Sequence, residues 1–159
     1  MNLMFFNHFM RTRTVFSRKY RNWKAFGLNS TWFSSEVDKA NQSKYDQTSE
    51  TVFDKIIRKQ IPADIIHEDD KCIAFNDVSP QAPIHFLVIP KKRIAMLGLC
   101  SGTDSEILSH ILLTAKDLAN ERLPDGYRLV INNGRDGCQS VYHLHIHILG
   151  GRQMNWPPG

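Results

Sequence analysis

The sequence has no pair of cysteines at metal-binding or redox spacing. Its three thiols, Cys72, Cys100 and Cys138, are far apart and odd in number, which argues against a disulfide framework and fits a reducing compartment. No apolar run approaches the ~18 residues of a membrane span, so no membrane partner is expected. Internal repeats and low-complexity segments are also lacking. Acidic residues are missing from residues 1–35, where Arg11, Arg13, Arg18, Lys19, Arg21 and Lys24 all lie. These six cations account for more than the net charge of +4, and subtracting them leaves the rest of the chain at −2. The basic character belongs to the leader, and a nucleic-acid partner for the remainder is not expected.

What residues 1–35 do contain is Arg, Lys, Ser, Thr and many aromatics. Drawn as a helix, Phe9, Phe16, Tyr20 and Trp23 share one side, with Arg11 and Arg18 nearly opposite. That pattern predicts a mitochondrial presequence. The alternative is a disordered tail on a cytoplasmic and nuclear protein. From Ser35 to Ser49 the composition becomes polar and mixed in charge, as in a linker. Residues 1–48 are therefore assigned to leader and linker, and residues 50–159 to one domain.

Within that domain, Thr51 to Lys59 predicts a short helix ended by Pro62. Asp64 to Glu68 and Lys71 to Asp77 predict a hairpin around Asp69-Asp70, and Ile84 to Ile89 a third strand. Thr103 and Glu106 stand at capping-box spacing, before a helical stripe of Ile107, Leu108, Ile111, Leu112, Ala115, Leu118 and Ala119. Tyr127 to Ile131 predicts another strand, followed by a turn from Asn132 to Gly137. The class is α+β, with an antiparallel sheet covered on one face.

The most informative stretch is Val141-Tyr142-His143-Leu144-His145-Ile146-His147-Ile148-Leu149. Alternation along a strand puts three imidazoles on one side and Leu144, Ile146 and Ile148 on the other. A row of polar rings must be hydrated, hydrogen-bonded or given something to bind. Two imidazoles two apart can meet one metal ion, but three on one strand do not surround a tetrahedral centre, and no supporting ligand stands nearby. No metal and no cofactor are expected. Imidazole is largely unprotonated at neutral pH and attacks phosphorus or carbon without a metal. The preceding loop, Gly137 to Ser140, offers backbone N–H groups suited to cradling an anion.

His-Leu-His-Ile-His-Ile-Leu resembles the signature of the histidine triad superfamily, and the chain is similar to its Hint branch, the histidine triad nucleotide-binding proteins. Phe53-x-Lys-Ile-Ile-Arg-Lys, Asp77-Val-Ser-Pro-Gln-Ala-Pro, His85-Phe-Leu-Val-Ile-Pro-Lys-Lys and the ending Gly-Gly-Arg-Gln-Met-Asn-Trp-Pro-Pro-Gly carry the same likeness. The resemblance implies the histidine triad fold, with about five antiparallel strands, one long and one short helix, and a sheet continued across a homodimer. It implies a purine nucleoside phosphoramidase that hydrolyses adenosine or guanosine 5′-phosphoramidates and acyl adenylates through a covalent nucleotidyl-histidine.

By the same resemblance His145 is the nucleophile, His147 and His85 contact the phosphoryl oxygens, and His143 supports the nucleophile. Ser140 assists the leaving amine, and Asp77 takes the ribose hydroxyls. Phe53, Ile56, Phe75 and Val78 line the base slot. Asn132 lies by the phosphate or the ribose, Cys138 and Gln139 lie by the phosphate, and Trp156 reaches to the partner's site. A nucleotide-binding regulatory protein with incidental hydrolysis, acting through protein partners, is the alternative. Two residues depart from the pattern: Arg93, expected to alter charge near the dimer surface, and Cys138, which replaces a glycine beside the phosphate loop. Cys138 is expected to make activity sensitive to thiol modification.

Overall fold

The computed structural model describes residues 36–46 and 48–158, so the expected leader helix lies outside the described residues. Five strands form one antiparallel sheet: β1 Ile65–Glu68, β2 Cys72–Asn76, β3 Ile84–Pro90, β4 Tyr127–Val130 and β5 Ile146–Gly150, in the order β1-β2-β3-β5-β4. Among the described residues three α-helices accompany them: α1 Glu36–Gln42, α2 Val52–Ile57 and α3 Ser105–Arg122. The α+β class and the antiparallel sheet follow the sequence expectation.

Period-two alternation divides the sheet into two apolar faces. Cys72, Ala74, Phe86, Val88, Ile146 and Ile148 meet Ile111, Ala115 and Ala119 of α3 on one side. Ile73, Phe75, Leu87 and Ile89 meet Phe53 and Ile56 of α2 on the other. The sheet is thus covered by α3 on one face and in part by α2 on the other, where the short helix leaves room for a site.

Two local expectations are corrected. The predicted linker holds α1, whose Ala40 is buried. The capping box expected at Thr103 and Glu106 belongs instead to Ser101 and Asp104, which close a 3₁₀ turn before α3. Asp104 then precedes α3 without a side-chain cap bond, and Glu106 pairs with Lys71 at 2.6 Å. A second capping box, Thr51 with Asp54, starts α2.

Candidate active site

The histidine stretch is only partly a strand. Pairing of β5 with β3 begins at Ile146, opposite Val88, so His143 and His145 lie in the extended segment before the ladder. The cause is visible at Pro90, which ends β3 and has no N–H to continue pairing. Instead the Pro90 carbonyl accepts from His143 Nε2 at 2.8 Å, and Leu144 N–H donates to the Ile94 carbonyl at 2.6 Å. Leu144, Ile146 and Ile148 still bury together, so the three rings still share the opposite side.

Ring protons follow from the partners. The Gln81 backbone N–H donates to His85 Nδ1 at 3.2 Å, which leaves the His85 proton on Nε2. That N–H donates to His147 Nδ1 at 2.9 Å and places the His147 proton on its own Nε2. The two rings are diagonal neighbours across β3 and β5, where His147 pairs with Leu87 and Leu149 with His85. Nδ1–H of His145 donates to the His143 carbonyl at 2.7 Å. The His145 Nε2 is therefore left with a lone pair, the state a nucleophile needs.

Burial reinforces that state by penalising an imidazolium. All four rings are pushed below the ordinary histidine value, first by desolvation. For His147 the neighbouring His145 and His85 add to the effect and take it down to about 3. His145 is 4 % exposed, and its ring meets Phe53 edge-on at 5.3 Å between centroids.

These groups border a cavity of about 550 Å³ between α1, α2 and the sheet, within the range of small-molecule sites. Of the residues expected at a site, His145, His147, Ser140, Asp77, Val78, Phe53, Ile56 and Phe75 line it. Val78 stands fully exposed at the rim. Asp77 Oδ2 lies 3.5 Å from His85 Nε2 and 4.0 Å from His147 Nδ1. His85 and His143 sit behind the lining and act on it through the bonds above.

The phosphate loop differs from expectation. The amides of Cys138 and Gln139 donate within the loop, to the carbonyls of Arg135 and Gly134, so neither serves an incoming anion. The Gln139 side chain is fully buried and ties Gly134, Ala95 and Val141 together. Asn132 Nδ2 donates to the Cys138 carbonyl at 3.2 Å. Asn132, Cys138 and Gln139 thus shape the loop from behind, and none of them lines the cavity. Cys138 has φ of 61°, the left-handed region that glycine adopts without cost. Trp156 is 84 % exposed, on a tail held where Arg128 donates to the Asn155 carbonyl.

Three contributors escaped sequence reasoning. Glu36 of α1 accepts from the Ser140 hydroxyl at 3.0 Å, and Ser43 donates to the Ser140 carbonyl at 2.7 Å. Asp54 accepts from the Thr51 N–H and hydroxyl through Oδ2, which also pairs with Arg93, and turns Oδ1 to His143 Nδ1 at 3.6 Å. Arg93 thus pairs with Asp54 behind the triad and also donates to the Ser49 carbonyl. Burial raises the Asp54 carboxyl, but the Thr51 bonds and Arg93 outweigh it and hold it below the usual range. Thr51-x-x-Asp54 was a readable capping signal, whereas nothing local links Asp54 to Arg93.

Residues 58–154 match the HIT domain family, and the chain belongs to that family, in its Hint branch. A "14 kDa zinc-binding protein" of Zea mays is 54% identical over 129 residues, covering 79% of this chain and 99% of its own. The "Adenylylsulfatase HINT1" of Arabidopsis thaliana is 54% identical over 114 residues, covering 70% of this chain and 78% of its own. Among solved structures, a HIT family hydrolase from Legionella pneumophila superposes with a TM-score of 0.68 at 50% identity, covering 69% of this chain and all of that one. With these relatives, the fold and the site define a hydrolase.

Proposed function

We propose that the protein is a purine nucleoside phosphoramidase acting on adenosine or guanosine 5′-phosphoramidates and acyl adenylates. The observation that carries this reading is the His145 ring, whose Nδ1–H is committed to the His143 carbonyl while Nε2 remains unprotonated beside the cavity. In the first step Nε2 bonds to the α-phosphorus and the P–N bond breaks, its electron pair staying on the amine nitrogen, which takes a proton that solvent supplies through the Ser140 hydroxyl; from an acyl adenylate the P–O bond breaks instead and a carboxylate leaves. In the second, water attacks the same phosphorus, the N–P bond to His145 breaks, and the nucleoside monophosphate departs. Two easier displacements replace one difficult one.

His147 Nε2–H suits donation to a phosphoryl oxygen, with His85 holding its tautomer. Asp77 accepts from the ribose hydroxyls, and Phe53, Ile56, Phe75 and Val78 flank the base. The Arabidopsis relative is named an adenylylsulfatase, which supports an adenylyl substrate. The test is turnover of a fluorogenic adenosine phosphoramidate, with an acid quench to trap the adduct. Replacement His145→Ala should abolish both turnover and the added nucleotidyl mass, and equal rates in the two proteins would remove the catalytic claim.

The same reading includes a homodimer. Strand β4 lies at an edge of the sheet and offers unpaired backbone groups, which supports continuation into a second copy. The exposed Trp156 would then reach the partner's site, and a monomeric mass in solution would contradict this. A mitochondrial address for residues 1–35 is proposed from composition, and a reporter fused to residues 1–45 that stays cytosolic would contradict it.

A further inference from the structure

On the face of the sheet opposite the triad, four side chains of metal-ligating type converge where the β1–β2 hairpin meets α3. Asp69 sits in the turn, and its Oδ1 accepts from the backbone N–H groups of Lys71 at 2.8 Å and Cys72 at 2.7 Å. These two bonds fix the carboxylate and aim Oδ2 at three other groups. His67 Nε2 lies 3.2 Å from Oδ2, His110 Nε2 2.8 Å and Cys72 Sγ 3.5 Å.

One feature of the backbone makes this convergence possible. In regular pairing, Ile65 opposite Phe75 would put Ile66 opposite Ala74 and turn His67 to the cavity face. A register shift between Ile65 and His67 instead sets His67 opposite Ala74, whose side chain faces α3. Bulges re-aim side chains in this way. The shift brings His67 to the side where Cys72 and His110 already stand.

The three distances from Asp69 Oδ2 are close to the edge lengths of a zinc tetrahedron. With Zn–O of ~2.0 Å, Zn–N of ~2.05 Å and Zn–S of ~2.3 Å, ligand atoms in tetrahedral geometry lie ~3.3 Å apart for O and N and ~3.5 Å for O and S. The ligand atoms of His67, Asp69 and Cys72 all lie within 4.8 Å of one another. His67 and His110 are part-exposed while Cys72 is fully buried, which gives an ion a way in and a thiolate at the floor.

We propose that His67, Asp69 and Cys72 form the core of a site for a divalent transition ion of zinc type, and that His110, already hydrogen-bonded to Asp69 Oδ2, closes in as the fourth ligand and clasps the hairpin to α3. A thiolate and a carboxylate neutralise the two positive charges. Binding releases the Cys72 thiol proton to solvent. Each imidazole gives up its Nε2 proton and takes one at Nδ1, so the ion meets two neutral nitrogen lone pairs. A ligating thiol must lose its proton, so affinity rises with pH. The mixed N, O and S donor set favours zinc or cobalt over magnesium or calcium, which take oxygen ligands.

The test is titration of the full-length reduced protein with Co²⁺, followed by displacement with Zn²⁺. A thiolate-to-cobalt charge-transfer band and the visible bands of a tetrahedral ion should saturate at one equivalent. Cys72→Ala should lose the charge-transfer band, and His67→Phe or His110→Gln should weaken binding about tenfold or more. His147→Gln, which disables the Asp77, His85 and His147 group on the other face of the sheet, should keep the band, as should Cys100→Ala and Cys138→Ala. No band in the folded wild type, a band that survives Cys72→Ala, or unchanged affinity in His67→Phe would overturn the proposal. If Cys72→Ala does not fold, the two histidine variants decide.

Discussion

Acid should unfold this protein earlier than its carboxylates alone would require, because His85, His143, His145 and His147 are all held below the ordinary histidine value by burial. As pH falls through ~6.5, the unfolded chain takes up protons that the native rings refuse, so stability falls with pH until each native value is reached. For His147, held at about 3, no proton uptake by the native ring offsets the loss anywhere between about pH 7.5 and about pH 5.5. A group with an unfolded value of ~6.5 then costs about 1.4 kcal/mol. The other three rings act in the same direction and set an upper limit of about 5 kcal/mol. Asp54 and Asp69, also held below their usual values, add a loss of the same sign, but only below this window. The assay is urea unfolding across that range, read as midpoint and slope. His147→Gln should flatten the dependence by about 1 kcal/mol over the window. A wild-type stability that stays level or rises on acidification would refute the burial account of the site.

Three further outcomes can be checked alongside. Asp54→Ala removes the reciprocal cap of α2 and leaves Arg93 unpaired, and should cost about 2 kcal/mol in denaturant unfolding. Turnover should fall in that variant even at temperatures where it is folded, because His143 loses its neighbour. Gly137→Ala would set a Cβ 2.5 Å from the Asn133 carbonyl oxygen and 2.8 Å from its nitrogen, so the loop must shift. A loss of about 1–3 kcal/mol and a raised KM are expected, read by thermal melts and kinetics. Cys138→Gly relieves a side chain at φ of 61° and should gain about 1 kcal/mol, while alkylation resistance of its activity would show whether this thiol confers the expected sensitivity.

Alternation and helical periodicity carried most of the fold. The stripe Ile111, Ala115 and Ala119 buries as its spacing demands, and Leu144, Ile146 and Ile148 fill the core from the far side of the triad. Such patterns are local, so one sequence displays them. The missing parts are non-local or backbone-borne. Helix α1 buries only Ala40 among its described residues and so reads as polar linker. The Asp54 to Arg93 pair joins residues 39 apart. The amides of Cys138 and Gln139 looked available because sequence does not say which N–H groups a loop spends on itself. His67 is the sharpest case, since one register shift moved it to the opposite face.

The bond from the Gln81 N–H to His85 has a further implication. It starts a one-way sequence of donors, from main chain to His85 to His147, so the orientation of two rings is written by a peptide group rather than by a side chain. Position 81 can then vary freely in chemistry while its instruction stays constant, and only an imino acid, which has no N–H to give, would erase it. The polarity of the site is in that sense inherited from the path of the loop, and would survive side-chain changes around it as long as that path does.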